Sequence, residues 1–367
     1  MTAVRANAIE IEYEAIGPHN GAPMILIMGL AMQLTAWPDE FCHALASRGF
    51  RVIRFDNRDA GLSTKMPAIG WLTTTALLAG ATLRMPVRPP YGLADMASDA
   101  VGLMDALHID RAHIIGASMG GMIAQIVAAE YPERVKSLVS LMSTSGDPAL
   151  PGPAARVLQA LLRPRPRRDP ERGIAQTTDF LRLVGSPGFP TKESELRTKV
   201  ERAVRRSYHP DGWARQFIAV QSAGSRAHAL RRIRAPTLVM HGANDPLIPA
   251  AAGRHTAANI PGARLKIIPG WGHDLPDSLL PRLVAEIADH CAEAERAVSR
   301  ARSALTESKG IPKRARVRFN LLAGFGGQRG WRELILWTCG SVWWRRSRRV
   351  SPAVRWPRRS WSASPAL

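Results

Sequence analysis

Three residues far apart in the chain have the types and settings that acyl-transfer chemistry needs. Ser118 lies in Gly116-Ala117-Ser118-Met119-Gly120, directly after the apolar run AHIIGA. Between a strand and a helix, a G-x-S-x-G word makes a sharp turn that lifts the serine hydroxyl out of a sheet. Glycine suits positions 116 and 120 because a Cβ there would meet the neighbouring strand and helix. The helix after the turn opens with free N–H groups and the positive end of its dipole, where an oxyanion can form. An ordinary tight turn could use the same glycines, so the serine needs partners before it means anything. A serine hydroxyl is a weak nucleophile that requires a base, and the base requires an orienting acid. Asp245 in HGANDPLIP and His273 in GWGHDLP each follow an apolar, strand-like run. Taken singly, Asp245 reads as an Asx turn or helix cap and His273 as a loop histidine. At three successive strand ends, in the order Ser118, Asp245, His273, they read as a triad. Asp274 is the competing acid, but beside His273 in sequence it is badly placed to reach that ring's Nδ1. The loop IMGLAMQ, 27–33, should supply an oxyanion-hole N–H from Leu30, with Ala31 as its alternative, to pair with that of Met119.

The elements around these residues alternate. AIEIEYEAIG at 8–17 has the period of a strand or hairpin with one wet face, and PMILIMG at 23–29 reads as a strand buried on both faces. A helix follows with Trp37, Phe41 and Leu45 in register and Gly49 as its stop. RVIRFD at 51–56 is the next strand, WLTTTALLAGATL a helix, and GLADMASDAVGLMDALHI at 92–109 another. Strands at 112–118 and in KSLVSLMS flank the helix that ends at Pro132. Strand–helix–strand alternation predicts a mostly parallel sheet covered by helices. Residues 146–230 break it with Pro/Gly clusters, the basic run RPRPRRDPER and helical pieces, and read as a helical cap inserted between strands. Strands at 236–242 and 264–270 and a closing helix then complete the core, assigned to 1–145 and 231–300. ALPGPAARVLQALL and FLRLVGSPGF in the cap are apolar enough to line an acyl or aromatic pocket. The cap's basic residues read as a solvated face.

Charge separates one more region. Residues 301–367 hold 15 of the 50 Lys and Arg but 2 of the 30 Asp and Glu, so most of the net charge of +20 sits there. The first 300 residues are only mildly basic and call for no nucleic-acid partner. The tail also holds six of the ten Trp without a sustained period, and reads as disordered or as an out-of-frame or read-through product. Peripheral contact with a membrane surface is the second reading of the tail, and would make the chain a binding protein. Nucleic-acid binding is the third. Three widely spaced cysteines without C-x-x-C argue against a disulfide framework or zinc site and for a reducing compartment. No secretory signal and no apolar run of about 18 residues is visible. A cytoplasmic location follows as the expectation.

The words LIMGLAMQLTAWP, VIRFDNRDAGLSTK, HIIGASMGGMIAQIVAAEYPERV, APTLVMHGANDPLIP and PGWGHDLP resemble the α/β-hydrolase superfamily, on the side of bacterial carboxylesterases and lipases similar to aclacinomycin methylesterase. The resemblance runs through residues 1–295. It implies a central eight-stranded sheet, a helical cap and hydrolysis of small-molecule esters through an acyl-serine, with no cofactor or metal. Two words depart from the common pattern. Met28-Gly29 replaces His-Gly at the oxyanion loop, and Asp59 stands where glycine is usual in D-x-R-G-x-G-x-S. A serine nucleophile disfavours the branches that attack through a carboxylate. Thioesterase, phospholipase, cofactor-free haloperoxidase and C–C hydrolase chemistry remain alternatives with the same triad. Oligomeric state is left open.

Overall fold

The apolar runs become the middle of one sheet. The computed structural model describes residues 2–308 apart from Ile69, Arg84 and Pro86. Its strands are β1 (Thr2–Ala6), β2 (Ile9–Ile16), β3 (Ala22–Ile27), β4 (Phe50–Phe55), β5 (Ala112–Ala117), β6 (Val135–Leu141), β7 (Thr237–Gly242) and β8 (Arg264–Ile268). They form an eight-stranded sheet in the order β1-β2-β4-β3-β5-β6-β7-β8. Pairings β1/β2 and β2/β4 are antiparallel and the rest are parallel. Every residue of β5 and β7 is buried, as expected for strands covered on both faces.

Alternate residues of each strand feed opposite layers, because side chains on a strand point to opposite faces with period two. Ile25, Ile27, Ile53, Ile114 and Leu138 pack with Met96 and Met104 of α3 (Leu93–Ala106) and Ile123 and Val127 of α4 (Met119–Glu130). Met24, Leu26, Val52, Ile115 and Val139 pack with Phe41 and Leu45 of α1 (Asp39–Ala46) and Leu283 and Ile287 of the closing helix, Leu280–Ser308. Each fully buried aliphatic side chain contributes about 1.5–3 kcal/mol. The two layers together fix the level at which the strand ends emerge.

Between β6 and β7 come five helices: Ala155–Leu161 (α5), Pro170–Val184 (α6), Glu193–Arg206 (α7), Pro210–Ser222 (α8) and Ala227–Leu230 (α9). Asp169 caps α6 by accepting the Arg172 N–H, with Pro170 at the first helical position, where its missing N–H costs nothing. The chain from Met1 to Arg302, this helical insertion included, is one compact unit.

Three features differ from the sequence reading. β1 and the helix Ala250–Asn259 (α10) are additional elements; TAVRA and AAAGRHTAAN have too few apolar residues for a clear period. The closing helix, α11, runs on to Ser308, past residue 300, the expected end of the core. The expectations for the rest of the tail, disorder and membrane contact, lie outside the described residues. Finally, the insertion's basic residues are not all a solvated face: Arg215 and Arg226 are buried.

Candidate active site

The turn after β5 is strained where the sequence places the serine. Ser118 has φ 56° and ψ −121°, a conformation that costs a non-glycine residue about 1–3 kcal/mol. The glycines on either side make room for it. A Cβ on Gly116 would collide with the Gly120 carbonyl, and one on Gly120 with the Ile27 carbonyl. The elbow therefore packs directly on the end of β3, and a Cβ on Gly29 would lie 3.1 Å from Ser118 Cβ. The Ser118 N–H donates to Leu141 O at 2.9 Å and its carbonyl accepts from Ser143 Oγ at 2.8 Å, so β6 clamps the turn.

The ends of β7 and β8 bring the other two residues to it. His273 Nε2 lies 2.9 Å from Ser118 Oγ, and His273 Nδ1 lies 2.7 Å from Asp245 Oδ2. The carboxylate can only accept, so Nδ1 carries the ring proton and Nε2 presents a lone pair to the serine hydroxyl. Asp245 Oδ1 meanwhile accepts the Leu247 and Ile248 N–H groups at 2.9 and 2.8 Å. The aspartate is thus both an Asx turn and a partner of His273, one oxygen for each. Its side chain is fully buried. Burial alone would push its carboxyl up. The His273 charge, hydrogen bonds from His241 and His273 and the Ile248 N–H outweigh burial and hold it well below the usual carboxylate range. Asp274 turns away: its carboxylate takes a short hydrogen bond from Ser186 Oγ of the insertion.

The amides of the loop at 27–33 differ in their partners. Among the described residues, the Ala31 N–H donates to Gln216 Oε1 at 2.7 Å, whereas the Leu30 and Met119 N–H groups have no protein acceptor. Leu30 rather than Ala31 is therefore the free donor. The word after β4 holds this loop from below. Asp56 accepts the Leu34 N–H at 2.7 Å and Asn57 Nδ2 donates to Met28 O at 2.9 Å. Asp59, at φ 67°, receives Arg215 Nε and Nη2 at 2.8 and 2.7 Å, Tyr91 Oη at 2.7 Å and the Met66 N–H at 2.9 Å.

The insertion supplies residues that sequence reasoning missed. Arg206 Nη1 reaches both Asp56 Oδ2 and Gln33 Oε1 at 2.7 Å. The His273 N–H donates to Val184 O at 2.7 Å, and the Gly272 N–H to Ser186 Oγ at 2.8 Å. His241 donates from Nε2 to Ile248 O at 2.7 Å and stands 3.4 Å from Asp245 Oδ2. The usable signal was in WARQFIAV of α8, where Arg215 and Gln216 interrupt an apolar helix. Two polar residues there need partners once the helix packs. Leu161, Trp213, Ala214 and Phe217 form an apolar cluster joined by Leu30, Leu78, Phe180 and Leu247. It connects the insertion to the loop at 27–33 and to the turn after Asp245. Trp213 and Phe217 stack within it, centroids 5.1 Å apart.

The arrangement can take a proton from a hydroxyl, attack a carbonyl and hold the resulting charge with two main-chain amides. Residues 22–277 match the model of the alpha/beta hydrolase fold family. Rhodomycin D methylesterase DauP of Streptomyces sp. (strain C5) is 30% identical over 299 residues, 77% of this chain and 94% of that protein. Rhodomycin D methylesterase DnrP of Streptomyces peucetius is 28% identical over the same shares. In fold, the chain resembles the crystal structure of the enol-lactonase from Burkholderia xenovorans LB400, with a TM-score of 0.62 at 22% identity over 79% of this chain and 100% of that one. The chain belongs to the alpha/beta hydrolase fold family.

Proposed function

We propose that the chain is a serine carboxylic-ester hydrolase acting on small-molecule esters with an apolar acyl or aromatic part. The observation that carries this reading is His273 bridging Ser118 Oγ and Asp245, one ring nitrogen to each. His273 Nε2 takes the Ser118 proton as Oγ bonds to the ester carbonyl carbon. The carbonyl π pair becomes an oxyanion between the Leu30 and Met119 amides. When it collapses, the C–O bond to the alcohol breaks and the alkoxide takes the proton from His273. Water then repeats the sequence on the acyl-serine and releases the acid. Asp245 holds the Nδ1–H tautomer and stabilises the imidazolium. The helices at 146–230 act as the cap, and the wall of Trp213, Phe217 and Leu30 receives the apolar part of the substrate. The kinship with two methylesterases supports a methyl ester as substrate. The buried free thiols Cys42 and Cys291 support a cytoplasmic site of action.

A p-nitrophenyl ester series, short to long acyl, tests the reading with the wild type and Ser118→Ala. The variant should lose at least about a thousandfold in kcat, the scale for removing a triad nucleophile. Equal rates in the two proteins would refute it.

A further inference from the structure

We propose that Gln216 is the positioning residue of the oxyanion hole: its side-chain amide, delivered by α8, sets the direction of the Leu30 N–H by holding the next amide along the chain. The bond pattern leaves the amide one orientation. The Ala31 N–H can only donate and receives Oε1 at 2.7 Å; Arg58 O can only accept and receives Nε2 at 2.7 Å. Gln216 is fully buried, so neither bond competes with water at the side chain. One amide therefore ties together the oxyanion loop and the D-x-R-D word, both of which come from the core, and does so from the insertion.

The loop requires such a tie. A Cβ on Gly29 would crowd Ser118 Cβ at 3.1 Å, and glycine leaves its own dihedrals loosely defined. Ala31 sits at φ 58°, a left-handed conformation that alanine adopts only under constraint. The turn hydrogen bond of this loop, Met32 N–H to Gly29 O, is 3.2 Å long. Between a flexible glycine and a strained alanine, the Leu30 N–H has no protein acceptor of its own among the described residues. Fixing the Leu30–Ala31 peptide plane through Gln216 limits the rotation of the preceding plane, which carries the Leu30 N–H. Charge developing on an ester oxygen then meets a donor already oriented, which is the form in which such donors are most effective. Gln216 touches neither substrate nor Ser118; it acts through the backbone.

The test rests on the serine reading above and uses Gln216→Met, which keeps length and volume but removes the acceptor and donor. Four readings are taken on the full chain: kcat and KM with p-nitrophenyl butyrate, inhibition by an alkyl trifluoromethyl ketone, Tm, and hydrogen–deuterium exchange of peptides covering 27–36. The ketone bonds to Ser118 Oγ, passes the serine proton to His273 and leaves its oxygen as an anion in the hole. Expected are a fall in kcat of about 10- to 100-fold, short of the ~10²–10³ seen when a donor is lost outright, and KM within about twofold. Ketone affinity should weaken by the same factor as kcat, and exchange should quicken in 27–36. Unchanged kcat, or unchanged ketone affinity with a lower kcat, overturns the proposal, because the first leaves the hole intact and the second places the loss elsewhere. The exchange reading stands apart from activity. If Ser118→Ala hydrolyses as fast as wild type, the serine reading fails, while unchanged exchange at 27–36 by itself refutes the tether.

Discussion

Asp245 and Asp59 are two buried carboxylates with nearly the same surroundings and opposite duties. Each side chain is fully buried, and backbone N–H groups donate to both, one to Asp59 and two to Asp245. Burial would raise both, and in both the hydrogen-bonding partners outweigh it and hold the group ionised well below its usual range. The difference is the cationic partner. Asp59 meets the fork of Arg215, which carries a fixed charge and stays protonated. Asp245 meets His273, whose other nitrogen faces a hydroxyl and which, in the proposed mechanism, gains and loses a proton with each turnover. A strongly perturbed carboxyl therefore marks a site only when its partner can exchange a proton. The same fold uses the first kind of pair to fasten the insertion to the core, and the proposed mechanism assigns the chemistry to the second.

Asn substitutions separate the two duties. In Asp245→Asn, the amide oxygen can still accept the Leu247 and Ile248 N–H groups, so the turn survives. The amide N–H₂ then faces His273 Nδ1, which must become an acceptor, and the ring proton moves to Nε2. Nε2 can no longer accept from Ser118. We expect kcat to fall by about 10⁴-fold with Tm within about 3 °C of wild type, read by ester kinetics and thermal unfolding. A variant that unfolds instead would show that Asp245 is chiefly structural and erase the distinction from Asp59.

The mirror case is Asp59→Asn. Asparagine tolerates the positive φ, so the backbone is not at issue. Arg215 is 3% exposed at its side chain and loses its only buried carboxylate partner among the described residues. Removing one member of a buried pair costs about 3–5 kcal/mol, a drop in Tm of roughly 5–10 °C for a chain of this size. The folded value of Asp59 lies below its unfolded one, so its contribution is fully present above about pH 4 and declines as pH falls below that. The Tm gap between wild type and variant should therefore be constant from pH 5 to 7 and narrow below pH 4. A gap that widens on acidification would contradict the assigned pair. Activity of the folded variant should stay within an order of magnitude, since α8 also carries Gln216.

What the sequence made legible follows from how local each feature is. Ser118 and its glycines are specified by one turn, and Asp245 and His273 by the turns after apolar strands, so each could be placed before any packing was known. The continuous runs in β3, β5 and β7 likewise announced strands covered on both faces. The arginine partners of Asp59 and Gln33 and the acceptor for the Ala31 amide come from α7 and α8, more than 150 residues away. Nothing in its own window distinguishes Arg206 from the solvated arginines beside it, and Arg215 stands out only by interrupting the apolar run of α8, so the reading of the basic residues as a solvated face failed there. Whether Leu30 or Ala31 supplies the free N–H was undecidable locally, because it depends on Gln216. β1 and α10 were missed for a different reason: their burial comes from one side only, and their small or polar residues carry almost no period.

Asp274 extends the comparison to a third acid, adjacent to His273 and competing with Asp245 for its role. Burial raises its carboxyl, and its hydrogen bonds to Ser186 only partly offset that. It belongs to neither kind of pair: among the described residues no arginine or lysine forms an ion pair with it as Arg215 does with Asp59, and its donor is a neutral hydroxyl. The loop around it is held by other bonds, His273 N–H to Val184 O and Trp271 Nε1 to Asp274 O. Asparagine can accept from Ser186 Oγ as the carboxylate does, and the main-chain bonds are untouched. Asp274→Asn should therefore lower kcat by no more than about threefold, the scale of a single neutral hydrogen bond slightly weakened, with the ratio to Asp245→Asn exceeding a thousand. If the two variants instead lose activity equally, His273 takes its orientation from both acids in turn, and the division of duties drawn between Asp245 and the other buried carboxylates would have to be abandoned.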